Sequence, residues 1–227
     1  MSQGYTFYPR QGNRKKPLFW NLSVNITLVL TNIVFFILAL IFIFINLIGW
    51  EEIAISPKNI FAGQYLWTFL TSIFMHGSFL HLFANMLSLV FIGGLVERIL
   101  GPKRYLNFYL ASGLFAGVFY VLISKFVFVS DFATMAVGAS GALFGLVGFL
   151  MLITPDLPVM IFFIPIPIKM KYAAPGILIA LWLISIAGGV AIGNTAHLGG
   201  LLAGLFYGFY IRKKYPNKVK FISRRFS

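Results

Sequence analysis

The stretch VGASGALFGLVG (137–148) sets one serine, Ser140, between glycines at the head of an apolar run that continues to Ile153. Two readings compete for it. Small residues at helical spacing let two helices approach closely in lipid, and a serine sits easily in such a seam. A hydroxyl at a helix N-terminus is also where free N–H groups and the helix dipole can serve a nucleophile. Taken alone the stretch favours packing. It does not match the nucleophile elbow of soluble hydrolases, which needs glycine two residues after the serine, where this chain has Ala142. The decision rests on what surrounds it.

Working outward, 59% of the 227 residues are hydrophobic and only 10% are charged, and the mean hydropathy is +0.91. Soluble domains carry about a quarter charged residues. Apolar runs close to the roughly 20 residues needed to cross a bilayer recur. Six spans are expected, at about Ile26–Trp50, Phe79–Val96, Tyr105–Ile123, Gly138–Ile153, Tyr172–Val190 and Thr195–Ile211. Lipid offers no partner for unpaired backbone groups, so spans of this length are helices, and the expected fold is an all-α polytopic membrane bundle. The N-terminus lacks a small-residue cleavage site and the first apolar run is too long for a signal peptide, so it is expected to stay attached as an anchor. With no cysteine, disulfides and thiolate metal sites are excluded.

The net charge of +13 could suggest nucleic acid, but its placement points elsewhere. All of the 18 Lys and Arg except Lys58 and Lys125 fall on the N-terminal segment, on the second–third and fourth–fifth connections, or on the tail. That skew is the positive-inside pattern, and only an even number of spans leaves both basic ends on one side. The chain therefore divides into a basic cytoplasmic segment (1–25), a six-span domain (26–211) and a basic cytoplasmic tail (212–227), with no nucleic-acid partner. Residues 51–65 form a long outer loop. Asp156–Lys171 is apolar, but Pro158, Pro165 and Pro167, with Pro155 before it, argue for an inner interfacial segment and against a span.

Polar residues inside the spans are few, and such residues are functional candidates by default. His81 and Asn85 are four apart and share a helix face on the second span. Ser140 opens the fourth span and His197 the sixth. All three of these spans run from outside to inside, which puts the four residues in one layer of the membrane. Gly141 and Gly145 on one side, and Gly200, Gly204 and Gly208 on the other, offer faces for close helix approach. Packing through them brings Ser140 and His197 within hydrogen-bond reach, a nucleophile with its general base. The helix N-terminus at Ser140, the His81 imidazole and the Asn85 amide supply donors for a developing oxyanion, and losing one such donor typically costs about 10²–10³ in rate. Asp131, Asp156 and Glu97 are wrongly placed for a third member, so a dyad is expected. His76 reads as a structural histidine. Metal ligation by His76, His81 and His197 lacks a carboxylate or cysteine at that depth.

These motifs resemble the rhomboid family of intramembrane serine proteases. GASG (138–141) is similar to the family's GxSG motif, AHLGGLLAG (196–204) to its AHxxGxxxG motif, HLFAN (81–85) to its HxxxN pair, and GGLVERILG (93–101) to the GxxE-type end of its second span. The resemblance covers about residues 67–208. It implies a six-helix rhomboid bundle, Ser140 as nucleophile, His197 as base, the Ser140 N–H with His81 and Asn85 as oxyanion-binding groups, Glu97 as structural, and no metal or cofactor. The implied substrates are membrane-anchored proteins cut in or near a transmembrane segment, with small residues at the cut and helix-breaking residues beyond it. Two positions depart from the pattern. Thr68 follows Trp67 where many members have Trp-Arg, and Phe144 stands where some bacterial members place a tyrosine against the base, so the ring can stack while a hydroxyl contact is lost. The family includes inactive relatives lacking the serine or histidine, and this chain keeps both. The alternative is a catalytically silent binding protein or transporter; a transporter more naturally shows embedded acidic relay residues or Gly/Pro-broken helices. The compact layout without an organellar presequence suggests a bacterial plasma membrane, with the site open to the extracytoplasmic side.

Overall fold

A computed structural model describes residues 22–161, 164–188 and 193–226. The predicted segment 1–25 therefore lies almost wholly outside the described residues, as does Val190 at the predicted end of the fifth span. Within them the chain is built of helices: α1 (Val24–Phe44), the short α2 (Pro57–Phe61) and α3 (Thr68–Phe74), α4 (Phe79–Ser88), α5 (Gly94–Leu100), α6 (Pro102–Phe126), α7 (Ser140–Ile153), α8 (Met170–Gly188), α9 (Asn194–Lys214) and α10 (Pro216–Arg225). A π-helical turn, Leu89–Gly93, joins α4 to α5 as one rod.

Four of these stretches are long and apolar enough to cross a membrane: Val24–Phe44, Phe79–Leu100, Pro102–Phe126 and Met170–Gly188. The first is shorter than predicted. It stops at Phe44, not Trp50, because Asn46 turns the chain through a left-handed conformation (φ 56°) that asparagine tolerates and a continuing helix does not. The α7 helix has only 14 residues, about 21 Å at 1.5 Å per residue, against a hydrocarbon core of about 30 Å. Ten of its residues are buried, among them Phe149, Leu150 and Ile153. It is thus a buried, central helix of the bundle.

The seam between α7 and α9 is the tightest in the molecule. A Cβ added at Gly200 would overlap the Gly141 carbonyl oxygen, and one at Gly204 that of Gly145, so here two backbones touch. Without side chains between them, the relative height of the two helices is set by main chain alone. The α8 helix packs differently, through side chains: Ala174 and Leu178 meet Phe144 and Leu201.

One end of the bundle is held by Glu97. Its two carboxylate oxygens accept the Val24 N–H at 2.9 Å and the Asn25 N–H at 3.0 Å, capping α1, while the Tyr105 hydroxyl donates to Asn25 Oδ1 at 2.6 Å. A carboxylate at a helix N-terminus satisfies donors that have no intrahelical partner.

The segment 156–171, predicted to be no span, departs from the helical pattern of the all-α bundle. It holds an antiparallel hairpin, β1 (Pro158–Ile161) and β2 (Ile164–Lys169), with Pro158 opposite Lys169 and Val159 opposite Ile168. Proline is tolerated on strands that are both edges, and the Ile and Val between the prolines favour extended backbone. Asp156 closes the base with ion pairs to Lys171 (2.9 Å) and Lys169 (3.1 Å). Their hydrogen bonds, that of Lys171 first, hold its carboxyl below the usual carboxylate range.

Candidate active site

The site forms where the loop ahead of α7 turns into the helix. Gly138 takes φ +130°, a conformation that favours glycine, and its N–H donates to the Ser72 carbonyl at 2.8 Å. A Cβ at Gly138 would stand 2.9 Å from His81 Cε1, 3.0 Å from His81 Nε2 and 3.4 Å from Ser140 Oγ. The bare glycine therefore lets an imidazole edge and a hydroxyl share the same small space.

Ser140 is the first residue of α7, and His197 lies in the first turn of α9. The seam of glycines places Ser140 Oγ 2.7 Å from His197 Nε2. Phe144, one turn beyond Ser140, stacks on the imidazole with centroids 4.7 Å apart and planes 20° apart. The ring is thus clamped by packing, and its Nδ1 is buried with no hydrogen-bond partner among the described residues. No carboxylate completes a triad at that nitrogen.

His81 approaches from α4. Its Nδ1 faces the Gly77 N–H at 3.4 Å, which leaves Nε2 to carry the hydrogen of a neutral ring on the side of Ser140. The N–H groups of Ser140, Gly141 and Ala142 at the start of α7 have no intrahelical acceptor. Asn85 sits one turn deeper and is buried. Its Nδ2 donates to the His81 carbonyl at 2.8 Å, and it is not among the residues that line the cavity, so here it braces the turn carrying His81. His76 is fully buried, with its ring edge-on to His81 at 5.2 Å and to Phe36 at 6.2 Å.

Ser140, His81 and His197 open into a cavity of about 680 Å³. Its walls include Gly113, Ala116 and Gly117 of α6, Trp182 and Ser185 of α8, and the loop from Phe128 to Gly138. The loop is pinned by the Tyr120 hydroxyl, which donates to the Thr134 carbonyl at 2.9 Å, and by paired backbone bonds between Ile55 and Ala136. Trp67 Nε1 donates to the Glu52 carbonyl at 2.8 Å and the Thr68 hydroxyl to that of Tyr65 at 2.7 Å, so the 51–65 loop is anchored without an arginine at 68. Among the described residues no three His, Asp or Glu side chains converge to hold a metal. The arrangement supplies a hydroxyl next to a base, donors beside it, and a space large enough for an extended peptide segment.

Sequence reasoning passed over Ser72 and the small residues of α6. The spacing of Gly113, Ala116 and Gly117 was a readable sign of a helix face that leaves room, but nothing in it said room for what.

The chain matches the Rhomboid domain family over residues 63–214. It is 37% identical over 149 residues to RHOMBOID-like protein 5 of Arabidopsis thaliana, covering 64% of this chain and 44% of that protein. It is 31% identical over 153 residues to Rhomboid protein 1, mitochondrial, of Saccharomyces cerevisiae, covering 63% of this chain and 41% of that one. To Rhomboid protease GluP of Bacillus subtilis it is 32% identical over 155 residues, covering 66% of this chain and 27% of that one. The chain thus spans less than half the length of these curated relatives.

Proposed function

The chain belongs to the rhomboid family, and from that premise we propose that it is an intramembrane serine endopeptidase working through a Ser140–His197 dyad. The observation that carries the reading is the 2.7 Å contact between Ser140 Oγ and His197 Nε2 at the floor of a cavity. Ser140 attacks the carbonyl of a membrane-anchored substrate, and His197 takes the hydroxyl proton and then delivers it to the leaving amine. The Ser140 N–H and His81 Nε2–H hold the oxyanion, with Asn85 contributing through its hold on the His81 turn. Water entering the cavity resolves the acyl-enzyme. An intact substrate helix keeps its carbonyls bonded, so it unwinds locally before it is cut.

In this reading α1, the α4–α5 rod, α6, α7, α8 and α9 are the six membrane helices, residues 26–211 form the protease domain, and both basic flanks (1–25 and 212–227) lie on the cytoplasmic side. The cavity opens to the other side. Relatives from a plant, the yeast mitochondrion and a bacterium share the family, so membership fixes a membrane setting without choosing which membrane. A transporter is disfavoured because no carboxylate falls inside the predicted spans, and Glu97, at the inner end of the second, serves as a helix cap.

The test is cleavage of a single-span substrate by the purified, reconstituted chain. Cleavage by the unaltered protein, abolished by Ser140→Ala and by His197→Ala with the fold intact, is the expected result. Undiminished cleavage by the Ser140→Ala protein would refute the mechanism.

A further inference from the structure

We infer that α10 is an in-plane helix that binds anionic phospholipid headgroups at the basic end of the bundle. The inference depends on the chain being embedded in a bilayer and not on the catalytic reading. The helix follows α9 directly, and Pro216 at its first turn sets the new direction. Val219 is 6% exposed and belongs to the same apolar cluster as Phe149 and Ile153 of α7, with Ile222 packed against that cluster. The segment is therefore bolted to the bundle by one face and not free as a tail. The remaining faces carry Lys218, Lys220, Arg224 and Arg225, all exposed. Lys218, Phe221 and Arg225 fall on one stripe by helical spacing, and the Phe221 ring is 67% exposed among these cations. A phenyl ring flanked by basic side chains suits the boundary between headgroups and acyl chains.

Among the described residues no ion pair offsets this charge. No carboxylate occurs after Asp156. Asp156 itself is held by Lys169 and Lys171, and Glu97 is engaged by the α1 backbone. Arg212, Lys213 and Lys214 at the end of α9 extend the same positive face. Clusters of four to eight basic residues next to a membrane helix attract anionic lipid, and the attraction fades within a Debye length. A fixed helix keeps the charges at one height, which a flexible tail does not.

The test measures phospholipid retained by the full chain purified from neutral-detergent micelles containing equal dioleoylphosphatidylglycerol and dioleoylphosphatidylcholine. About tenfold enrichment of the anionic lipid is expected. It should fall to near parity in the K218Q/K220Q/R224Q/R225Q protein, and in the unaltered chain at about 0.5 M NaCl. The K58Q/K125Q protein, altered at the opposite end, should keep it. Equal retention of both lipids, enrichment that survives the fourfold substitution or the salt, or equal loss in the K58Q/K125Q protein would overturn the proposal. Displacement of the lipid by millimolar glycerol 1-phosphate would also overturn it, by revealing a site for free anions.

Discussion

The cavity has two very different walls. On the α9 side, α7 is met by backbone: Gly200 lies against Gly141 and Gly204 against Gly145, with no side chain able to adjust. On the α8 side it is met by side chains, and beyond Leu178 the helix leaves Ile179 and Leu183 exposed, while Ile186, 80% exposed, borders the cavity. The stiff wall carries Ser140 and His197. The loosely held one, through Trp182 and Ser185, faces the cavity without carrying either group. A proton transfer needs heavy atoms held near 2.6–3.2 Å, whereas admitting a substrate needs a wall that can yield. The difference assigns precision to one helix pair and compliance to the other.

That contrast can be broken in several places, the first with the largest effect. Replacing His197 with alanine should lower the rate of substrate cleavage at least 10³-fold while thermal stability stays within a few degrees, since the ring is clamped by Phe144 and not by a network. His81→Ala should cost about 10²–10³ in kcat with little change in KM, as expected for a donor used mainly in the transition state. Gly200→Ala drives a methyl into the Gly141 carbonyl, so unfolding should begin several degrees lower and cleavage fall by about tenfold or more. Gly176→Ala on α8 meets nothing within 4 Å and should leave cleavage unchanged, with stability unchanged or slightly raised. Equal damage from the two glycine replacements would erase the distinction between the walls. Phe144→Leu removes a stacking worth about 0.5–1.5 kcal/mol and should reduce kcat by roughly two- to tenfold.

Much of this was legible beforehand. Apolar run length carried the helical membrane architecture, because it follows from the cost of polar groups in lipid. The glycine spacing in 141–145 and 200–208 anticipated the seam, and with it the Ser140–His197 approach, because small residues in register have few other uses. The ring of Phe144 stacks on His197 as its position one turn from Ser140 allows. What was not legible depends on partners distant in sequence. Glu97 was expected to be structural, but its acceptors' donors, Val24 and Asn25, lie more than seventy residues earlier. Proline in 156–171 excluded a span without announcing a hairpin, which depends on cross-strand pairing. The end of α1 was overrun because Leu47 and Ile48 continue the apolar pattern beyond the turn at Asn46. The spacing of Asn85 from His81 also does not announce that a side chain four residues from a carbonyl can turn back to it, as the Asn85 amide does here.

The most direct measurement is covalent labelling of the purified chain with a serine-directed fluorophosphonate, followed by peptide mapping. A single modified residue, Ser140, whose labelling is lost in the His197→Ala protein, is the predicted result. Modification elsewhere with Ser140 untouched, or labelling of Ser140 at the same rate without His197, would contradict a nucleophile activated by its neighbour across the α7–α9 seam.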